Sequence, residues 1–393
     1  MSGRLVTKEA AIYGGRGRPI FILGSARSGT TLLSLMLHRH PRIAIPMENR
    51  FVLPVYLGRA EFGDLAEEGN RRLLAERIVT AEWFADLQLD PGWITGRIVD
   101  EAWTVGAAVG LVLRAYSEQN GKLRWGDKRP YYRNTMWAIQ RMFPAAQFVH
   151  IVRDGRDAVA SMATVPPFDV EGFNHRVRTW MEAAENAEQA RAKLAPDTFH
   201  ELHYERLVTD PEKELRGLCA FLGEDFDDAM LRPEQLADDV VPEYQTWHVR
   251  TRQEVSDRSV GAFREQLEPW QLAVCESVMG AALQGYGYEL TGAGPADAGH
   301  LDEYRRYERN RRRYFRQMRR DDKALDYPWP VADMSPSEAK LHRKVSRLEK
   351  RVTRLTSQRD AARARVEQLT GTRSWRWTAP LRKTYKNVKP PRP

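Results

Sequence analysis

Arg18 to Leu33 reads RPIFILGSARSGTTLL, and this stretch decides the fold. Its first half, Pro19-Ile20-Phe21-Ile22-Leu23, is a short unbroken apolar run ending at Gly24, the pattern of a strand buried on both faces of a parallel sheet. Residues 29–39 then carry a helical pattern, so Gly24-Ser25-Ala26-Arg27-Ser28-Gly29-Thr30-Thr31 joins a strand to a helix. In that context a glycine-containing loop becomes a phosphate cradle. Backbone N–H groups at the helix start point into the loop, and the helix dipole adds partial positive charge. The two glycines match the nucleotide triphosphate loop G-x-x-x-x-G-K-[ST], but Thr30 stands at the Lys position. That Lys reaches the β and γ phosphates, so its absence argues against hydrolysis of ATP or GTP. The cation here is Arg27, inside the loop.

Working outward, Ala146 to Val152 (AQFVHIV) reads as a second buried strand, followed by a helix from Asp154 to Met162. A long helix is expected over 169–194, stopped by Pro196, then a strand from Thr198 to Tyr204 and a helix around 211–222. This alternation predicts an α/β fold, an open parallel sheet flanked by helices on both faces. Arg153 ends the second strand and Ser161 follows eight residues on in the next helix, a forked cation and a hydroxyl suited to one phosphate dianion. Arg156 reads as an ion-paired helix residue and His150, inside an apolar strand, as a hydrogen-bonded core histidine. His38 and His40 end the loop helix, where a cation is favourable near the C-terminal dipole, and they read as structural.

The charge is unevenly placed. Over 393 residues, 61 Lys and Arg face 53 Asp and Glu, a net of +8. Residues 335–393 hold 17 of those cations against 4 acids, leaving 44 against 49 in residues 1–334. The body is therefore slightly acidic and is not a basic nucleic-acid binder. Ser335-Pro336-Ser337-Glu338 reads as a helix start. Beyond it Leu341, Val345, Leu348, Val352, Leu355, Arg359, Ala362, Val366 and Leu369 alternate by fours and threes, a heptad seam. Val at a and Leu at d favour a two-stranded parallel coil and hence a homodimer through 341–369, with Arg359 fixing register; a lone amphipathic helix folded on the body is the other reading. Residues 291–334, with a run of Arg from 305 to 320, read as a helix and a linker. The two cysteines, Cys219 and Cys275, fit buried thiols of a reducing compartment. The N-terminus MSGRLVTKEAAIYGGRGRPI lacks the apolar core of a signal peptide, and no apolar run reaches the ~18 residues of a membrane span. A cytoplasmic chain is expected, at most peripheral to the inner face of the membrane.

RPIFILGSARSGTTLL resembles the 5′-phosphosulfate loop of sulfotransferases that use 3′-phosphoadenosine 5′-phosphosulfate (PAPS), and FVHIVRDGRDAVASM resembles their 3′-phosphate motif. Within that family the chain is similar to the tyrosylprotein sulfotransferase branch and its bacterial relatives, through SARSGTTLL with HPRIAIPMENR, VRDGR, and FHELHYERLVTDPEKELRGLCAFLG. The resemblance implies Glu48 as catalytic base and Lys128, in RWGDKRPYY, as the cation assisting the transferring group beside Arg27. It also implies that Ser28, Gly29, Thr30, Thr31, Arg153, Ser161 and Tyr204 bind the nucleotide, and, through RSVGAFR, that Arg264 does as well. The residues alone leave other roles open: Glu48 paired with Arg50 or Arg42, Lys128 solvated beside Asp127, Tyr204 packing at a strand end.

The resemblance covers a P-loop-like sulfotransferase domain at 18–290; composition and the heptad seam set off an N-terminal extension at 1–17, the Arg-rich helix and linker at 291–334, a coiled coil at 335–370 and a basic Trp-containing tail at 371–393. No set of His, Cys and carboxylates sits at ligand spacing, so no metal is expected. The tail SWRWTAPLRKTYKNV resembles those of bacterial enzymes that build surface polysaccharides, which implies a saccharide or glycolipid acceptor and contact with an anionic membrane surface. A P-loop phosphotransferase and a non-catalytic nucleotide-binding scaffold with a basic coiled coil are the competing readings. The absent loop Lys speaks against the first, and the intact Arg27, Glu48, Lys128, Arg153 and Ser161 against the second.

Overall fold

The computed structural model describes residues 17–165, 171–236 and 252–324, together with helical positions between 341 and 365. Five parallel strands form the sheet: β1 (Ile20–Gly24), β2 (Ile43–Ala44), β3 (Arg124–Lys128), β4 (Gln147–Val152) and β5 (Phe199–His203), in the order β2-β3-β1-β4-β5. β1 is central, pairing Ile20 with Gly126 of β3 and with Gln147 of β4. Its residues alternate between two cores, as the strand period requires. Phe21 and Leu23 face an aromatic cluster in which the Phe21 ring lies 5.5 Å from Phe143 and 6.0 Å from Trp125. Ile20 and Ile22 face the opposite core, with Leu33, Met36 and Leu37 of the loop helix.

The sequence led to three strands, and the sheet has five. β2 is two residues long, too short for any periodicity. β3 reads RWGDK, which no hydropathy pattern would assign to a buried strand, yet every residue of it is buried. Its charges are tolerated because each has partners. Arg124 donates to the carbonyls of Arg18 and Leu222, both at 2.8 Å, to Glu224 at 3.2 Å and to Gln147.

Helices cover both faces. After β1 comes α1 (Thr30–Arg39), and between β2 and β3 lie α2 (Val52–Leu57), α3 (Glu68–Val79), α4 (Pro91–Glu101) and α5 (Val105–Gln119), the last two capped by Asp90 and Thr104. α6 (Tyr132–Met142) follows β3, and α7 (Gly155–Ala163) follows β4 with Asp154 as its cap. α8 (Phe173–Lys193) leads to β5, whose end runs into α9 (Tyr204–Thr209) and α10 (Pro211–Leu222). α11 (Phe263–Gln266), α12 (Pro269–Gly285) and α13 (Ala298–Ala324) complete the body.

The Arg-rich stretch is α13, and its packing ties it to the sulfur- and aromatic-rich core of α7, α8 and α12, where Tyr304 joins Trp180, Cys275 and Met279. Asp322 at its end is buried between Arg59 at 2.7 Å and Arg141 at 2.6 Å. Both cysteines are buried free thiols. Residues 337–393 form a separate unit, in which 354–365 are helical and Leu341, Leu348, Val352 and Leu355 are exposed. Most of the expected coiled coil, the tail 371–393 and residues 1–16 lie outside the described residues. Among the described residues no helix is long and apolar enough to cross a membrane.

Candidate functional site

The carboxyl ends of β1, β3, β4 and β5 open on one edge of the sheet, where ligands bind in open α/β folds. The loop after β1 turns there because of two backbone features. A Cβ at Gly24 would stand 2.6 Å from the Ile151 carbonyl oxygen, so only glycine fits beside β4. Arg27 at φ 64° and Gly29 at φ 93° are both left-handed, which curls the chain into a cup before α1. No side chain caps α1, so its first N–H groups face that cup. The Ser28 hydroxyl is fully buried without a hydrogen-bond partner among the described residues. An orphaned hydroxyl beside an uncapped helix start fits a phosphate or sulfate oxygen.

Two other strand ends complete the cup. Arg153, at the end of β4, donates to the Arg27 carbonyl at 2.9 Å and the Ser259 carbonyl at 2.6 Å, and lies 4.7 Å from the Tyr204 ring centre. Arg27 Nε donates to the Ser161 hydroxyl at 3.1 Å. Tyr204, where β5 meets α9, bonds the Ser259 hydroxyl at 2.7 Å, and its ring sits 2.5 Å from where a Gly29 Cβ would be. The structure thus brings Arg27, Ser28, Gly29, Arg153, Ser161 and Tyr204 together.

Glu48 and Lys128 join them from the β2–β3 side. Lys128 Nζ donates to Glu48 Oε1 at 2.9 Å and to the Thr31 hydroxyl at 3.2 Å; the Lys128 side chain is 0% exposed and that of Glu48 25%. Neither alternative raised for these residues holds. Glu48 pairs with Lys128, whereas Arg50 bonds Glu82 at 3.2 Å and Arg42 bonds Glu224 at 3.0 Å. Behind the pair, Asp127 is wholly buried and accepts from Asn49 Nδ2 at 2.6 Å, from the Lys128 N–H at 2.9 Å and from the Tyr132 hydroxyl. Burial raises the Asp127 pKa against the pull of those donors.

Arg27, Gly29, Thr30, Thr31, Glu48, Arg153, Ser161 and Tyr204 line a cavity of about 620 Å³, and the fully buried Ser28 and Lys128 stand behind that lining. Further lining residues had no motif to announce them: Trp83, Arg129, Tyr131, Arg133, His175 and Arg311. Arg133 and Arg311 meet at buried Glu182, at 3.4 and 3.0 Å. His175 bonds the Tyr307 hydroxyl at 2.8 Å, and burial, then Arg311 and Arg133, lowers its pKa to about 4, so it is neutral. For Arg129 and Tyr131 the available signal was the charged and aromatic run RWGDKRPYY that contains them.

Gln253 to Ser256, with Arg258 and Ser259, also line the cavity. Arg264 does not: it is exposed, with its guanidinium 4.7 Å from the Phe263 ring centre. Within RSVGAFR it is the first Arg and Ser that reach the cavity. Arg156 pairs with Asp154 and Glu276, both at 2.7 Å, and His150 bonds Glu201 at 3.0 Å, as expected of structural residues. His38 is not the helix-end cation: burial, then nearby Lys122, lowers its pKa to about 4, and the Lys122 ammonium donates to the His38 carbonyl instead. No cluster suited to a metal ion occurs among the described residues.

A family model described as the sulfotransferase family matches residues 19–228, more than half of the chain. Protein-tyrosine sulfotransferase 1 of Danio rerio is 30% identical over 221 residues, 55% of this chain and 56% of that protein. Protein-tyrosine sulfotransferase 2 of Gallus gallus is 27% identical over 222 residues, 55% and 54% of the two chains. The chain thus spans about half the length of the curated relatives it matches. Among solved structures, the sulfotransferase domain from the Synechococcus PCC 7002 olefin synthase superposes with a TM-score of 0.51 at 23% identity, over 70% of this chain and 97% of that one. The sulfotransferase domain from the curacin biosynthetic pathway gives 0.52 at 21% identity, over 70% and 99%. Both likenesses support the fold.

Proposed function

Since the chain belongs to the sulfotransferase family, we propose that it moves the sulfuryl group of PAPS to a hydroxyl of a carbohydrate or glycolipid of the cell envelope. The observation that carries this reading is the Lys128 ammonium bonded to both Glu48 and Thr31 beside the uncapped start of α1. PAPS, when bound, supplies a sulfuryl group whose leaving group is adenosine 3′,5′-bisphosphate. The Ser28 hydroxyl and the N–H groups of residues 29–31 would hold its 5′ end, the Ser28 N–H being donated to the Ser25 carbonyl at 3.2 Å, and Arg153 with Ser161 would hold its 3′-phosphate. Tyr204 would contact the nucleotide from the β5 side.

Each remaining role follows from placement. Glu48, partly exposed to the cavity, takes the acceptor hydroxyl's proton as that oxygen becomes bonded to sulfur. Lys128 and Arg27 place positive charge where negative charge grows on the leaving and equatorial oxygens. Because Lys128 and Glu48 are already in contact, little reorganisation precedes the reaction.

The Trp-containing basic tail supports the saccharide or glycolipid acceptor and a cytoplasmic enzyme touching an anionic membrane surface. A second reading, a tyrosine hydroxyl of a protein, is favoured by the protein-tyrosine sulfotransferases among the relatives. Transfer of radiolabelled sulfate from PAPS onto cell-envelope glycan and lipid fractions, beside tyrosine peptides, separates the two. Label in the envelope fractions is expected, and label on the peptides alone would overturn the acceptor assignment. The heptad seam supports a homodimer through 341–369. Truncation after residue 334 should give a monomer in sedimentation, and a persistent dimer would refute the seam's role.

A further inference from the structure

The donor end of the cavity has a second wall, residues 252–262, and one carboxylate outside the cavity fixes where that wall stands. Arg153, Asp157 and Ser161 follow one another at spacings of four, so α7 presents Asp157 and Ser161 on the same face, about one and two turns beyond Arg153. Asp157 is 1% exposed and accepts from the Gly261 N–H and from the Phe263 N–H, both at 2.8 Å, one on each oxygen. Gly261 is left-handed at φ 74°, which turns the chain back toward α7, and Phe263 is buried with the Arg156 guanidinium 4.2 Å from its ring centre. Just upstream, Ser259 receives Arg153 at its carbonyl and Tyr204 at its hydroxyl, and Arg258 and Ser259 line the cavity.

We propose that Asp157 is a positioning residue for the donor: by clamping the backbone at Gly261 and Phe263 it holds Ser259 against Arg153 and Tyr204, and so makes the site select a nucleotide bearing a 3′-phosphate. The inference rests on the donor reading above. Burying a carboxylate is costly unless donors surround it, and here two backbone N–H groups of one turn do so, with Arg153 Nη2 3.9 Å away. One end of the Arg153 fork is spent on the Ser259 carbonyl. A wall free to drift would release that end, and the guanidinium would have to be oriented anew for each ligand. Asp157 touches no ligand; it acts through the wall.

The test is calorimetric titration of full-length wild type, Asp157→Asn and Asp157→Ala with adenosine 3′,5′-bisphosphate and with adenosine 5′-monophosphate, which lacks the 3′-phosphate. Asn keeps one acceptor and turns an NH₂ group toward the other backbone N–H, whereas Ala removes both. Bisphosphate binding should weaken roughly tenfold in Asp157→Asn and further in Asp157→Ala. Binding of the monophosphate should change little, so discrimination shrinks in that order. Variants that weaken both nucleotides equally, or that discriminate as wild type does, would overturn the clamp alone. A wild type that binds neither nucleotide would overturn the donor reading and the clamp with it. Should either variant fail to fold, amide exchange in wild type decides: the Gly261 and Phe263 amides gain protection with bisphosphate, and unchanged exchange refutes the clamp.

Discussion

The loop 24–31 and the wall 252–262 meet the same cavity, yet they are held there by different means. The loop is fixed by its own chain: β1 ends at its start, α1 begins at its end, and two left-handed residues, Arg27 and Gly29, curl what lies between. Between residues 253 and 262 the wall has no strand or helix of its own and is fixed by Arg153, Asp157 and Tyr204, side chains of the β4–α7 and β5–α9 units. A locally determined element carries its geometry in consecutive residues. An element determined by distant partners carries it elsewhere in the chain.

The largest effect should come where the loop is completed by a side chain. If the cup and its dipole alone drove transfer, Glu48→Gln would be nearly silent. Since the Glu48 carboxylate is the base bonded to Lys128 among the described residues, we expect turnover to fall roughly a hundred- to ten-thousand-fold. Bisphosphate binding, measured by calorimetry, should stay as in wild type. Turnover within a few-fold of wild type would leave Glu48 as no more than an ion-pair partner.

A matched pair of glycine substitutions compares the two regions directly. Gly29→Ala meets both a left-handed backbone and the Tyr204 ring, 2.5 Å from the new Cβ, and the ring is held by Ser259. It should lose ~1–3 kcal/mol in denaturant unfolding, together with bisphosphate binding. Gly261→Ala has a similar φ, but its Cβ meets the end of the Arg264 side chain, which can move aside. It should cost only the backbone strain, ~1–2 kcal/mol. Equal losses would mean that the contact at Tyr204 adds nothing.

The same contrast explains what was legible. RPIFILGSARSGTTLL announces a strand, a turn and a helix start because all three are consecutive, and β1 and α1 lie where the pattern puts them. Arg153 and Ser161 were legible for the same reason, being eight residues apart on one strand-to-helix junction. β3 was not, because most partners that let RWGDK be buried, Glu224, Gln147 and Asn49 among them, are distant in sequence. Nor was Arg311, which reaches the cavity from α13 through Glu182. In RSVGAFR the resemblance named Arg264, whereas Arg258 and Ser259 line the cavity, since which side chain faces it depends on a turn set by Asp157.

The far end of the loop helix gives a pH-dependent comparison. His38 is 3% exposed and its pKa is lowered to about 4, so the folded chain excludes a proton that the unfolded chain binds below pH ~6.5. Stability should therefore be unaffected above pH ~6.5, fall as pH drops below it, and level off once pH passes about 4. His38→Gln removes the titration. Relative to that variant, wild type should lose about 3 kcal/mol more between pH 7 and pH 4 in urea unfolding. Parallel curves for the two proteins would mean that His38 is protonated in the folded state after all.

The smallest expected effect decides between two arginines of one short segment. Arg258 lines the cavity beside Ser259, on the side of Arg153, while Arg264 is exposed over the Phe263 ring on α11. Removing a charge that lines a phosphate site weakens an anion by several-fold, whereas an exposed side chain off the site changes stability by ~0.5 kcal/mol or less. Arg258→Ala should thus weaken bisphosphate binding several-fold and Arg264→Ala should leave it within about twofold, with unfolding midpoints near wild type in both. The order is informative because the turn at Gly261 separates them: Asp157 fixes the backbone on both sides of that turn, so residues before it are held toward the cavity and those after it toward the core of α7. If Arg264→Ala proved the more damaging, the wall would have to turn over when nucleotide binds, and the clamp at Asp157 would have to open for it to do so.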